Sequence, residues 1–120
     1  MNRKEWLEKV GDIIDAKDSK GFADLLTEDG IFKFGNADEV KGRKNVADYV
    51  GAFFNMIGGS KHKVVNCWEQ GESVIWQGEV LYTRLDGRQV NVNFCNIFYM
   101  KGDLIDKYLI YIDNTPVFAP

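Results

Sequence analysis

Residues 61–113 read KHKVVNCWEQGESVIWQGEVLYTRLDGRQVNVNFCNIFYMKGDLIDKYLIYID, and this stretch decides the fold. It holds four segments rich in Val, Ile, Tyr, Phe and Trp: Lys61–Gln70, Ser73–Leu85, Gln89–Lys101 and Leu104–Asp113. Such residues suit a pleated, half-buried surface. The separators, Gly71-Glu72, Asp86-Gly87 and Lys101-Gly102-Asp103, are turn formers. Long strands joined by tight turns predict an antiparallel meander.

Upstream of Ser60 the pattern changes to a helical period of about 3.6 residues. Trp6, Val10, Ile13 and Ile14 form one apolar stripe, and Lys17 to Gly21 breaks it. Ser19 is the expected N-cap of a second short helix carrying Phe22, Leu25 and Leu26. Asp29-Gly30 turns the chain into a short strand, Ile31–Phe34, and residues 35–42 read as a loop. A third helix carries Val46, Tyr49, Val50, Phe53, Phe54 and Ile57 and stops at Gly58-Gly59. Helices first and hairpins after is an α+β order. The expectation is one domain over residues 1–120, with three N-terminal helices packed on a strongly curved antiparallel sheet with a mixed edge.

The curvature follows from strand length. Strands of ten or more residues exceed the usual five or six or so. Laid flat, they expose more apolar surface than three short helices cover, whereas coiling wraps the sheet around the helices. Gly78, inside a strand, marks a bulge or bend. A sheet wrapped in this way tends to leave a cavity at its open end, a usual ligand site.

Composition narrows the function. The chain has 120 residues, 45% hydrophobic and 13% aromatic, enough for a real core. Its net charge of −3 provides neither a basic footprint for nucleic acid nor a polybasic face for a membrane. No apolar run has signal-peptide or membrane-spanning length. Cys67 and Cys95 lie far apart and read as reduced thiols, which points to the cytoplasm. His62 is the only histidine, so a histidine-built metal site or a Ser-His-Asp triad is discounted, and His62 itself reads as a surface residue at a strand start. Neither metal nor cofactor is expected.

The element order resembles the nuclear transport factor 2-like superfamily, and within it the SnoaL-like and ketosteroid-isomerase-like proteins. The carriers of the resemblance run in order along the chain. They are Asp18-Ser19-Lys20-Gly21-Phe22 with Leu25-Leu26 and Asp29, Lys41-Gly42-Arg43, Gly71-Glu72-Ser73-Val74, Asp86-Gly87-Arg88, and Lys101-Gly102-Asp103-Leu104-Ile105 with Tyr111-Ile112-Asp113. The resemblance implies a cystatin-like cone, a pocket between the concave sheet face and the helices, and a homodimer through the outer sheet face. It also allows the family's catalytic sets to be checked. Matching on Asp18, Gly21 and Asp29 puts Val10 at the oxyanion tyrosine of the ketosteroid isomerases and Phe34 at their base. The second oxyanion group falls at Cys95 or Asn96. In the limonene-epoxide-hydrolase-like arrangement, Ile110 takes one aspartate position, and Glu79 and Leu81 take the arginine and the other aspartate. Neither catalytic set is retained.

Strand parity supplies the remaining candidates, since residues two apart share a face. The last strand points Asp106, Tyr108, Ile110 and Ile112 inward. On the strand before it, Asn91, Asn93, Cys95, Ile97 and Tyr99 compete with Val90, Val92, Phe94, Asn96, Phe98 and Met100 for the cavity. The polar set is favoured. Asp106 and Tyr108 are the catalytic candidates, because a carboxylate in an apolar cleft has its pKa raised toward a useful range. Val10, Phe34, Phe53, Trp76, Tyr82, Asn91, Asn93, Cys95 and Ile110 are the expected pocket residues. The expected ligand is a small apolar or cyclic organic molecule, and any reaction a cofactor-free isomerisation, cyclisation or hydration. A non-catalytic binding or interaction module is the competing class.

Overall fold

The computed structural model describes Met1–Pro120. Helices α1 (Arg3–Asp15) and α2 (Ser19–Ala23) are followed by strands β1 (Leu26–Phe34) and β2 (Val40–Lys41) and then by helix α3 (Arg43–Phe54). Then come β3 (Gly59–Gln70), β4 (Ser73–Thr83), β5 (Gln89–Lys101), β6 (Leu104–Ile112) and a closing turn of helix, α4 (Thr115–Phe118). The six strands make one sheet in the order β2-β1-β6-β5-β4-β3. The expected meander is present, each of its strands pairing antiparallel with the next. β1 lies parallel to β6, which gives the sheet its mixed edge.

Local chemistry accounts for where the elements differ from expectation. Asp18, not Ser19, caps α2, because its carboxylate accepts the Gly21 N–H at 2.9 Å. β1 starts at Leu26 rather than Ile31: Leu26 pairs with Ile105, and the register shifts before Ile31. The polar run between them reads as a turn in sequence. The loop before α3 contains the two-residue strand β2, paired with Ile31 and Phe32. The fourth helix, α4, is held by Arg84, whose guanidinium donates to the carbonyls of Pro116 and Ala119.

Two further slips of register shape the cone. One lies between Val64 and Asn66 of β3, opposite Gly78 and Gln77. A Cβ on Gly78 would stand 2.3 Å from Phe94 Cζ and 2.6 Å from the Lys63 carbonyl, so only glycine lets the ring and the neighbouring strand close over this point. The other lies where Tyr99 and Met100 meet Lys107 and Ile105, which leaves Asp106 as the extra residue of β6. On the concave side the buried cluster joins Leu7 and Val10 of α1, Phe22 of α2 and Val46 and Val50 of α3 to Trp76, Phe98, Ile105 and Tyr108 of the sheet. Each such apolar side chain contributes about 1.5–3 kcal/mol on full burial. Phe98 and Tyr108 meet edge to face at 4.3 Å between centroids.

Candidate functional site

α1, α2 and α3 do not fill the concave face completely. A cavity remains between them and β1, β3, β5 and β6, walled by Phe22, Phe32, Phe34, Tyr49, Phe53, Phe54, Phe94, Ile110 and Ile112 among others. Its volume is about 50 Å³. Besides Tyr49, whose residue is partly exposed, its polar side chains are His62, Asn96 and Tyr108.

His62 is inside, contrary to its reading as a surface residue. It shares the inner face of β3 with Ser60 and Val64, and its side chain is 10% exposed. Its ring packs against Trp76 and Phe94, with centroids 5.9 Å and 5.6 Å away. Nδ1 lies 2.6 Å from Asp15 Oδ1. The same carboxylate accepts the His62 backbone N–H at Oδ2 and the Ser60 hydroxyl at Oδ1, both at 2.8 Å. Asp15 ends α1, where the helix dipole disfavours a negative charge. Three donors from β3 reverse that disadvantage. Burial alone would raise the Asp15 pKa, but hydrogen bonds and charge from His62, with help from Ser60, hold it below the ordinary carboxylate value. With Asp15 ionised, Nδ1 carries the proton it shares, and Nε2 has no protein partner. Gly11 permits this approach of helix to strand, since a Cβ there would stand 3.2 Å from His62 Cβ.

Asn96 and Tyr108 are the other polar pair, 3% and 0% exposed. Asn96 Nδ2 donates to Tyr108 Oη at 3.2 Å. Burial raises the pKa of Tyr108 far above that of a free phenol and pushes that of Tyr82 up to about 12. Both therefore stay protonated donors at neutral pH.

Of the residues expected in the pocket, Phe34, Phe53, Tyr108 and Ile110 line the cavity. Val10, Trp76 and Tyr82 are buried in the core around it. Asn91, Asn93 and Cys95 require correction: they lie on the outer face of β5, and Asn91 donates to Glu79 at 2.9 Å. The inner face of β5 carries Val92, Phe94, Asn96, Phe98 and Met100. Burying that row stabilises the sheet, whereas burying a row of asparagines would leave amides unpaired. Asp106 also requires correction. As the bulged residue it faces solvent and accepts the Thr27 hydroxyl at 2.9 Å, so it stands outside the cavity. Tyr108, Ile110 and Ile112, beyond the bulge, keep the expected inward parity.

His62 is the functional candidate that sequence reasoning missed. Its signal was parity with Val64 two residues later. Nothing in the sequence linked it to Asp15, 47 residues away. No cluster of three His, Cys, Asp or Glu side chains that could hold a metal ion is present. No helix is long and apolar enough to cross a membrane.

A helix-lined cone of this topology is the nuclear transport factor 2-like fold. Within it, the chain belongs to the SnoaL-like domain family, which it matches over residues 7–108. No curated protein matches the sequence. Among solved structures, it is similar to a protein with a ketosteroid isomerase-like fold from Catenulispora acidiphila, solved in complex with trimethylamine. That comparison has a TM-score of 0.87 at 12% identity, covering 99% of this chain and 92% of the other. A putative SnoaL-like polyketide cyclase from Jannaschia superposes with a TM-score of 0.76 at 17% identity, covering 95% and 92%. An epoxide hydrolase of the limonene-epoxide-hydrolase-like type from M. tuberculosis does so at 0.77 and 15%, covering 96% and 85%. At these identities the likeness is one of fold.

Proposed function

We propose that the protein binds a small, largely apolar molecule in the cone and moves a proton on it with His62. The reaction would be an isomerisation, cyclisation or hydration that needs no cofactor. The observation that carries this reading is the 2.6 Å contact of His62 Nδ1 with Asp15, which leaves Nε2 as the one unpartnered ring nitrogen of a side chain in the cavity wall. A histidine so oriented is a general acid/base: Asp15 holds the ring and stabilises the imidazolium formed when Nε2 takes a proton. The walls are mainly aromatic and aliphatic side chains, which suits a small, largely apolar substrate. The cyclase and the isomerase-like fold among similar structures agree with chemistry of this type.

The test is proton exchange in deuterium oxide. Incubated with a set of one-ring ketones, the protein should speed loss of the proton signal at the carbon beside the carbonyl. His62→Gln should lower that acceleration by roughly 10²-fold or more. A wild-type rate equal to that of buffer for every ketone that binds refutes the proposal. Phe34 in the cavity wall and Val10 in the core favour a second reading, a non-catalytic carrier, because neither side chain moves a proton. A carrier would bind the same ketones and leave their exchange at the background rate.

The outer sheet face is proposed to meet a second copy of the chain. Val65, Trp68, Tyr99 and Tyr111 are between 43% and 55% exposed on the sheet strands. Apolar area of this kind commonly marks an interface.

A further inference from the structure

The aromatic side chains of this protein are concentrated around one cavity. Six of the chain's eight phenylalanines line it, together with Tyr49 and Tyr108. They arrive from α2, β1, α3, β5 and β6, so rings close on the cavity from several directions. Neighbouring rings also touch one another. Between centroids, Phe34 lies 5.4 Å from Phe53, and Phe32 lies 5.9 Å from Tyr49. Leucine or isoleucine would make the cavity equally apolar, but only a ring presents a negative face. The charged groups point the same way. The wall contains no lysine and no arginine. The one ionised group to which its side chains bond is the Asp15 carboxylate, behind His62. A positive ligand therefore meets ring faces at the wall and an anion one side chain away. An anionic ligand meets no cationic side chain at all.

We infer that the cone takes a small organic cation, an ammonium group carrying methyl groups, and holds its charge against Phe34, Phe53 and the rings beside them. The attraction is that of a cation for the ring quadrupole, which acts within about 6 Å of a ring centroid. A bare ammonium is strongly hydrated and resists leaving water. Methyl groups in place of its N–H bonds lower that resistance and give the cation an apolar surface that suits these walls. The inference rests on the reading of the cavity as a ligand site, and it adds the sign of the ligand's charge and the side chains that meet it. It does not depend on His62 acting as a catalyst.

Choline and 3,3-dimethylbutan-1-ol separate the possibilities, since they match in shape and differ in having a positive nitrogen or a neutral carbon at the branch point. Affinities are measured by ligand-observed NMR at neutral pH for the wild type, Phe34→Leu and Phe53→Leu, each checked for folding by circular dichroism. The inference expects the wild type to bind choline more tightly than the alcohol. It expects the ratio of the two affinities to fall by about twofold to fivefold with each ring removed. Phe34 and Phe53 belong to different elements, so either variant serves should the other fail to fold. A wild type that binds the alcohol as tightly as choline, or more tightly, overturns the inference alone and leaves the cavity as a site for neutral ligands. A preference for choline that keeps its wild-type value in the ring variants overturns it too, because the net charge of −3 then attracts the cation without the cavity. If neither probe binds, the inference fails, and binding of the one-ring ketones decides whether the ligand-site reading fails with it.

Discussion

At the residue scale the decisive pair is Asp15 and His62. A carboxylate at the end of α1 opposes the helix dipole, and its position makes sense only with Ser60 and His62 bonded to it. The pKa of Asp15 is lower in the folded chain than its ordinary value of 3.8. A carboxylate depressed on folding adds stability above its unfolded pKa, and this is lost as pH falls through the folded value. Asp15→Asn is therefore expected to destabilise the protein by about 1–2 kcal/mol at pH 7, with allowance for the partial exposure of the pair. The gap to wild type should narrow as the pH is taken below 3.8. Urea denaturation of both proteins across this range checks the claim. A gap that widens toward low pH contradicts it.

Among the elements, β5 and β6 decide what the cavity contains. β5 alternates so strictly that one face had to be inside, and hydrophobic burial chose the one with Val92, Phe94, Phe98 and Met100. Asn96 came inward with them, its Nδ2 paired to Tyr108. On β6 one extra residue reversed the parity of everything before it, which removed Asp106 from the site and left Tyr108 in it. The bend between β3 and β4 depends in turn on Gly78. Gly78→Ala places a methyl group 2.6 Å from the backbone oxygen of Lys63 and closer still to the Phe94 ring. The backbone cannot step aside as a flexible side chain would. Thermal unfolding of this variant should show a loss of about 1–3 kcal/mol. A melting temperature equal to that of the wild type would show that the strand pair yields without strain.

For the whole molecule, the same coiling that forms the cone turns an extensive outer sheet face toward its surroundings. Tyr99 and Tyr111 stand exposed there, with Ile97 and Leu109 half-buried beside them. The proposed pairing of two copies through this face predicts a dimeric mass by light scattering at micromolar concentration. Tyr111→Glu should shift that mass toward the monomer while leaving the circular dichroism spectrum unchanged. A wild-type protein that is monomeric under these conditions removes the proposal.

Periodicity and turn chemistry in the sequence were enough to determine the α+β class, the four-strand meander and three of the helices, because each of these depends on neighbours a few residues apart. They were also enough to turn Phe53 and Ile110 inward, by helical spacing and by parity, while Phe34 was placed by the family resemblance. The tertiary structure alone decided which face of β5 turned inward, since that choice compares the burial energies of two whole rows of side chains. It alone put Asp106 outside, because a bulge depends on pairing with a partner strand. It alone brought His62 and Asp15 together, for their contact spans 47 residues and exists only when α1 lies across β3. The curved sheet could be read from the chain. The chemistry of its cavity lies in contacts between residues far apart in sequence, which are made only when the cone closes.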